Sequence, residues 1–207
     1  MPSAWGASPA PPESSKPILF RFQTFIMTGD RKGSKDVMSQ SGPSPDMYRD
    51  PDEQRQIVAE MTAAIERDPG NPQHYFRRGN AFSNLAQYEQ AKADMDKVIA
   101  LEPCNAMAYN NRGGAHLCTA NVEAAIDDLN RAIELAPGYK EAYLNRGLAY
   151  SEVERLDEAI ADLSRAIELD PAFWSAYRHR GIVYWMKGAQ DASYRDYLKA
   201  RELAGED

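Results

Sequence analysis

Tyr143-Leu144-Asn145-Arg146-Gly147-Leu148-Ala149-Tyr150 decides the reading of this chain, because it is one copy of a pattern that returns at a fixed interval. Thirty-four residues upstream stands Tyr109-Asn110-Asn111-Arg112-Gly113. Another thirty-four upstream stands Tyr75-Phe76-Arg77-Arg78-Gly79, and thirty-four downstream stands Tyr177-Arg178-His179-Arg180-Gly181. A constant period of roughly 20–50 residues marks units that cannot bury their apolar faces alone and must stack on their neighbours. Working outward, each copy opens a helical stretch, and a second stretch follows that runs through Ala, Asp, a large apolar residue and a final Leu. Pro69, Pro103, Pro137 and Pro171 stand in register between the units. Proline lacks an N–H and disfavours helix in the residue before it, so these are stops.

The units are therefore 72–105, 106–139, 140–173 and 174–207, each a pair of helices. An extra helix precedes them at about 52–67. Asp52 is the expected N-cap, and Ile57, Val58, Met61, Ala64 and Ile65 recur at the spacing of one buried helical face. The expected fold is all-α, an α-α superhelix of paired antiparallel helices spanning residues 46–207. Residues 1–45, rich in Pro, Ser and Gly, are expected to be a disordered or loosely ordered tail. Its apolar patch around Phe20, Phe22, Phe25 and Ile26 reads either as a docking segment or as a stretch upstream of the natural start at Met27, Met38 or Met47.

Certain classes of function are disfavoured by composition. The net charge of the 207 residues is −7. The tail holds Lys16, Arg21, Arg31, Lys32 and Lys35 against Glu13, Asp30 and Asp36, a net +2, which leaves −9 on the remainder. An acidic folded part does not suit nucleic acid, whose phosphates call for clustered Lys and Arg. The apolar run at 17–27 is broken by Arg21 and Gln23 and falls short of the roughly 20 residues a membrane span needs. Cys104 and Cys118 make no disulfide framework and no zinc spacing, so a cytoplasmic setting is expected. No phosphate-binding glycine loop, nucleophile elbow or paired-histidine motif occurs, and neither a catalytic site, a cofactor nor a metal is expected. His116 takes the place of Phe82, Tyr150 and Tyr184, which reads as packing.

The period, with Tyr143, Gly147, Tyr150, Ala159, Leu163, Ala166 and Pro171 and their counterparts, resembles the tetratricopeptide repeat. The match runs from about residue 52 to 204. The fourth unit departs from it, with Ser193 in place of Ala91, Ala125 and Ala159, and Tyr197 in place of Met95, Leu129 and Leu163. Glycine within a helix costs about 0.5–1 kcal/mol against alanine, so four copies at Gly79, Gly113, Gly147 and Gly181 imply a close approach by the paired helix. Arg78, Arg112, Arg146 and Arg180 are each followed sixteen residues later by Asp94, Asp128, Asp162 and Asp196. One-to-one matching of the charges points to a structural pair rather than a row of anion-binding arginines.

The resemblance implies that function lies between these framework residues, on first helices lining a concave groove that holds a peptide or a partner helix. By that resemblance the groove draws on Phe76, Arg77, Asn80, Asn84, Asn110, Asn111, Cys118, Leu144, Asn145, Leu148, Glu152, Arg178, His179, Trp185 and Met186. The core of the site is Arg77, Asn80, Asn110, Asn111, Leu144, Asn145, Leu148, Arg178 and His179. An Asn amide both donates and accepts, so Asn111 and Asn145, one repeat apart, resemble a ladder that grips a peptide backbone. The carboxylate grip found in chaperone-tail binders of this family is expected to be missing, because Phe76, Leu144 and Leu148 stand where its basic residues belong. The expected function is a non-catalytic interaction module for a protein or peptide partner. The alternative is a self-associating scaffold assembled through uncapped terminal helices.

Overall fold

The computed structural model describes residues 50–205. The tail, its apolar patch and the boundary at residue 45 lie outside the described residues. Nine helices make up the described part: α1 (Pro51–Arg67), α2 (Pro72–Asn84), α3 (Tyr88–Leu101), α4 (Ala106–Cys118), α5 (Val122–Leu135), α6 (Lys140–Glu152), α7 (Leu156–Leu169), α8 (Trp174–Met186) and α9 (Gln190–Ala204). The pairs α2–α3, α4–α5, α6–α7 and α8–α9 coincide with the four sequence units. The start of α1 differs from expectation: Asp50, not Asp52, is the N-cap, its carboxylate accepting from the Asp52 N–H at 2.9 Å. Pro51 then occupies the first helical position, where a missing N–H costs nothing.

Each repeat turns between its helices through one left-handed residue in the same register: Ala86 (φ 57°), Ala120 (φ 58°), Glu154 (φ 58°) and Gly188 (φ 80°). Two of the period's tyrosines tie a repeat to the preceding stop, Tyr75 donating to the Pro69 carbonyl at 3.2 Å and Tyr143 to the Pro137 carbonyl at 3.3 Å.

The core lies between the two helices of each repeat and the first helix of the next. Met95, Leu129 and Leu163 are fully buried, as are Ala91, Ala125 and Ala159. A Cβ added at Gly113 would sit 2.9 Å from Leu129 Cγ, and one at Gly147 would sit 2.9 Å from Leu163 Cγ. The close approach inferred from the glycines is therefore present. The fourth repeat keeps the backbone approach but lacks the core side chain. A Cβ at Gly181 would meet the Ser193 carbonyl at 3.2 Å, Asp196 Cβ at 3.4 Å and the Tyr197 backbone nitrogen at 3.6 Å, while the Tyr197 side chain is 46% exposed instead of filling the core slot.

The Arg–Asp pairs hold within each repeat and also reach across to the neighbour. Arg146 donates through Nε and Nη2 to Asp162 at 2.7 and 2.8 Å, and through Nη1 to Asn130 of the preceding second helix at 2.7 Å. The third partner is Thr62 for Arg78, Asp96 for Arg112 and Ser164 for Arg180. Aromatic rings flank each guanidinium: Tyr75 and Phe82 at 5.8 Å, Tyr143 and Tyr150 at 5.7 Å, and Tyr177 and Tyr184 at 5.5 and 5.8 Å. In the second repeat Tyr109 alone does so, at 5.6 Å, and half-buried His116 fills the other place with Nε2 3.9 Å from Asp128.

Candidate functional site

First helices of successive repeats touch one another, α2 with α4, α4 with α6 and α6 with α8, while second helices do not to any comparable extent among the described residues. The stack closes up on the side of the first helices, which makes that row its inner face. Side chains one position before the framework arginines form one column along it: Arg77, Asn111, Asn145 and His179.

Four asparagines on this face are joined into a relay that crosses three repeats. The Asn145 amide donates to Asn110 Oδ1 at 2.9 Å, Asn110 donates to Asn111 Oδ1 at 3.1 Å, and Asn111 donates to Asn80 Oδ1 at 2.8 Å. Every link runs the same way, from α6 through α4 to α2, so the amide dipoles reinforce one another. Asn110 is buried and spends its second N–H on the Tyr139 hydroxyl at 3.3 Å. It braces the others and is not itself open to a ligand. Asn80, Asn111 and Asn145 are half-buried and present the remaining amide edges.

Other residues named from the sequence are placed differently. Leu144 packs on the Ala159, Leu163 and Val183 cluster, and Phe76 on that of Met95, Val98 and Ala108, so both contribute to the core. Asn84 donates to Gln54 Oε1 at 2.8 Å, pinning α2 to the buried Gln54 of α1. Leu148 is half-buried, while Arg77, Arg178 and Cys118 are exposed and Trp185 is 53% exposed. Arg77 and Arg178 therefore stand as cations in the first and last repeats, with the amide relay between them.

Tyr139 is the member of this network that sequence reasoning missed. A signal was available: the residues just before the first helices are Asn71, Asn105, Tyr139 and Phe173. The two asparagines cap their helices, Asn71 accepting from the Gln73 N–H and Asn105 from the Ala108 N–H, both at 3.0 Å. The two aromatics cap nothing with their side chains and turn to neighbours, Tyr139 to Asn110 and Phe173 beneath the Lys140 ammonium at 4.8 Å.

His179 continues the column in the last repeat, half-buried, and burial with the adjacent Arg178 charge pushes its pKa down to about 4. It is neutral at neutral pH and offers a donor and an acceptor like the asparagines above it. Its folded pKa lies below the unfolded value of about 6.5, so the unfolded chain binds more protons between those values. Stability is then fully present above about pH 6.5 and is lost as pH falls towards 4. We expect thermal unfolding to show a larger drop between pH 7 and pH 5 for the wild type than for His179→Asn. An equal drop in both would remove His179 as the cause. His116, also lowered by burial, adds in the same direction and keeps the variant from being flat.

Among the described residues no cluster of three or more His, Cys, Asp or Glu is placed to hold a metal, and no helix is long and apolar enough to cross a membrane. Cys104 and Cys118 are free and exposed.

Comparison with known proteins places this geometry. Two family models, both described as tetratricopeptide repeat, match residues 76–140 and 141–173. The crystal structure of MamA superposes with a TM-score of 0.65 at 28% identity, over 77% of this chain and 97% of that one. TTC0263, a thermophilic TPR protein in Thermus thermophilus, gives a TM-score of 0.67 at 21% identity, over 75% and 86%. The first TPR of Spaghetti (RPAP3), bound to the HSP90 peptide SRMEEVD, gives 0.55 at 26% identity, over 56% and 93%. No curated protein matches the chain.

Proposed function

Starting from a chain that is a tetratricopeptide repeat protein, and so built on a protein–protein interaction fold, we propose that it is a non-catalytic module that holds an extended segment of a partner protein along its first helices. The carrying observation is the amide relay. Asn80, Asn111 and Asn145 are oriented by one another and by buried Asn110, so their free edges are fixed before a ligand arrives. Preorganised donors and acceptors lose little entropy on binding. Asn111 and Asn145 stand one repeat apart and suit peptide groups of an extended backbone more than any one side chain, with Asn80 bonded to Asn111 at one end.

The ligand is not gripped through a C-terminal carboxylate. Phe76 and Leu144 support the core, and no cations stand in their places to make charge-assisted bonds. Arg77 and Arg178 instead favour a segment with acidic residues towards its two ends. A reducing, cytoplasmic location suits the two exposed thiols.

Affinity capture with the wild type and with Asn111→Ala/Asn145→Ala tests this reading, with thermal unfolding run alongside. Partners bound by the wild type should be lost from a variant that stays folded. Capture of the same partners by both proteins would rule the ladder out.

A further inference from the structure

The last helix carries an outer face that the repeat stack does not use. In α9 the buried residues Asp196 and Ala200 face α8, and Asp196 holds Arg180 at 2.7 and 2.9 Å. Counted at about 100° per residue from Asp196, the positions 191, 194, 198 and 201 fall within about 40° of the opposite direction. They are spaced 3, 4 and 3, the spacing of a helix–helix seam. Tyr194 is 62% exposed and Leu198 44%, with Tyr197 at 46% beside them. Large apolar side chains gathered on one stripe mark a surface that is covered in use.

Charge determines which occupant fits. When two copies of one helix pack antiparallel about a two-fold axis, residues whose numbers have a constant sum face each other. An axis level with residue 196 sets Tyr194 against Leu198 of the other copy, and Asp191 against its Arg201. A two-fold axis keeps each side of the seam on its own side, so about 60–80° from the seam centre Arg195 and Glu202 lie beside Arg195 and Glu202 of the other copy, and Gln190 and Tyr197 line the opposite flank. Within the seam itself no like charges meet in this register; Arg195 approaches Arg195 of the other copy only at the exposed flank, where water and salt screen the pair and the other copy's Glu202 lies next along. Arg201 already lies along the outer face, its guanidinium 5.9 Å from the Tyr197 ring centre.

We propose that a second copy of the chain covers α9, in an antiparallel α9–α9 pairing with Tyr194 and Leu198 at its centre and an Asp191–Arg201 ion pair at each end. Two tyrosines and one leucine per copy make a small interface, so the dimer is weak and concentration-dependent. Its end pairs are exposed, so added salt weakens it further. The pairing leaves the inner face of the first helices free, and each dimer would present two peptide grooves.

Sedimentation velocity of the full chain over a wide concentration range tests this. The wild type should pass from monomer to dimer as concentration rises. Asp191→Arg sets Arg against Arg201, and Arg201→Asp sets Asp against Asp191, so each alone should weaken the dimer about tenfold or more. An equimolar mixture of the two single variants restores both ion pairs and should dimerise again, as should the double swap Asp191→Arg/Arg201→Asp. Recovery in the mixture also shows that the singles were folded. A wild type monomeric at every concentration overturns the proposal. So does a dimer indifferent to either single swap, or one that neither the mixture nor the double variant restores.

Discussion

Arg146→Met should destabilise the protein by about 3–5 kcal/mol, because it leaves Asp162 buried as an unpaired carboxylate. Both partners are shielded, at 19% and 10% side-chain exposure, and the pair is bidentate. The Asp162 hydrogen bond and burial, acting in opposite senses, leave the Arg146 pKa above its ordinary value, so the guanidinium is always charged. The loss reaches beyond one repeat, since Nη1 also holds Asn130 on the previous second helix. A fall of about 10 °C in Tm is the corresponding thermal result for a folded part of this size. Asn130→Ala removes only the cross-repeat bond and should cost about 1 kcal/mol. The double change Arg146→Met/Asp162→Leu should cost less than the two single changes added, because the desolvation cost of both charges disappears with the attraction. An Arg146→Met protein with unaltered urea unfolding would refute the architectural role of the pair.

That role was readable in the sequence in part, and the boundary is instructive. Sixteen-residue spacing from arginine to aspartate, repeated four times, identifies the pair. The third partner also lies sixteen residues away, on the upstream side, but it is Thr62, Asp96, Asn130 and Ser164 in turn. Any short polar side chain can accept one N–H, so that position shows no constant residue type. The helix pairs were legible because glycine, alanine and proline each answer a steric demand that few other residues can meet. The arrangement of side chains along the first helices was less so. Leu144 and Asn110 share a register, and one turns to the core while the other braces the amide relay. A period states which positions correspond, but the volume left by neighbouring repeats determines which way each side chain faces. Tyr197 makes the same point: it occupies the register of Leu129 and Leu163, which the first helix of the next repeat helps to bury, but among the described residues no helix lies over α9 on that side and it is exposed.

The adjacent glycines Gly113 and Gly114 should respond to substitution with opposite signs. Gly113→Leu should lower stability by more than about 3 kcal/mol, beyond the usual range for overpacking of about 1–3 kcal/mol. Even the first carbon of a side chain meets Leu129 Cγ at 2.9 Å, Leu129 Cδ2 at 3.2 Å and the Ala125 carbonyl at 3.3 Å. Leu129 is fully buried and the Ala125 carbonyl belongs to the α5 backbone, so neither can retreat without moving α5 away from α4. Gly113→Ala should be milder but still destabilising, because its helix-propensity gain of about 1 kcal/mol opposes a rigid contact on two sides. At Gly114 a Cβ meets nothing within 4 Å, and the residue sits in the middle of the same helix. Gly114→Ala should therefore raise stability by about 0.5–1 kcal/mol, through the smaller backbone entropy of the unfolded chain. Urea unfolding of the three variants measures all of this in one series. A Gly113→Leu protein as stable as the wild type would mean that α4 and α5 do not meet at that glycine, and a destabilised Gly114→Ala would mean that something covers the other side of α4.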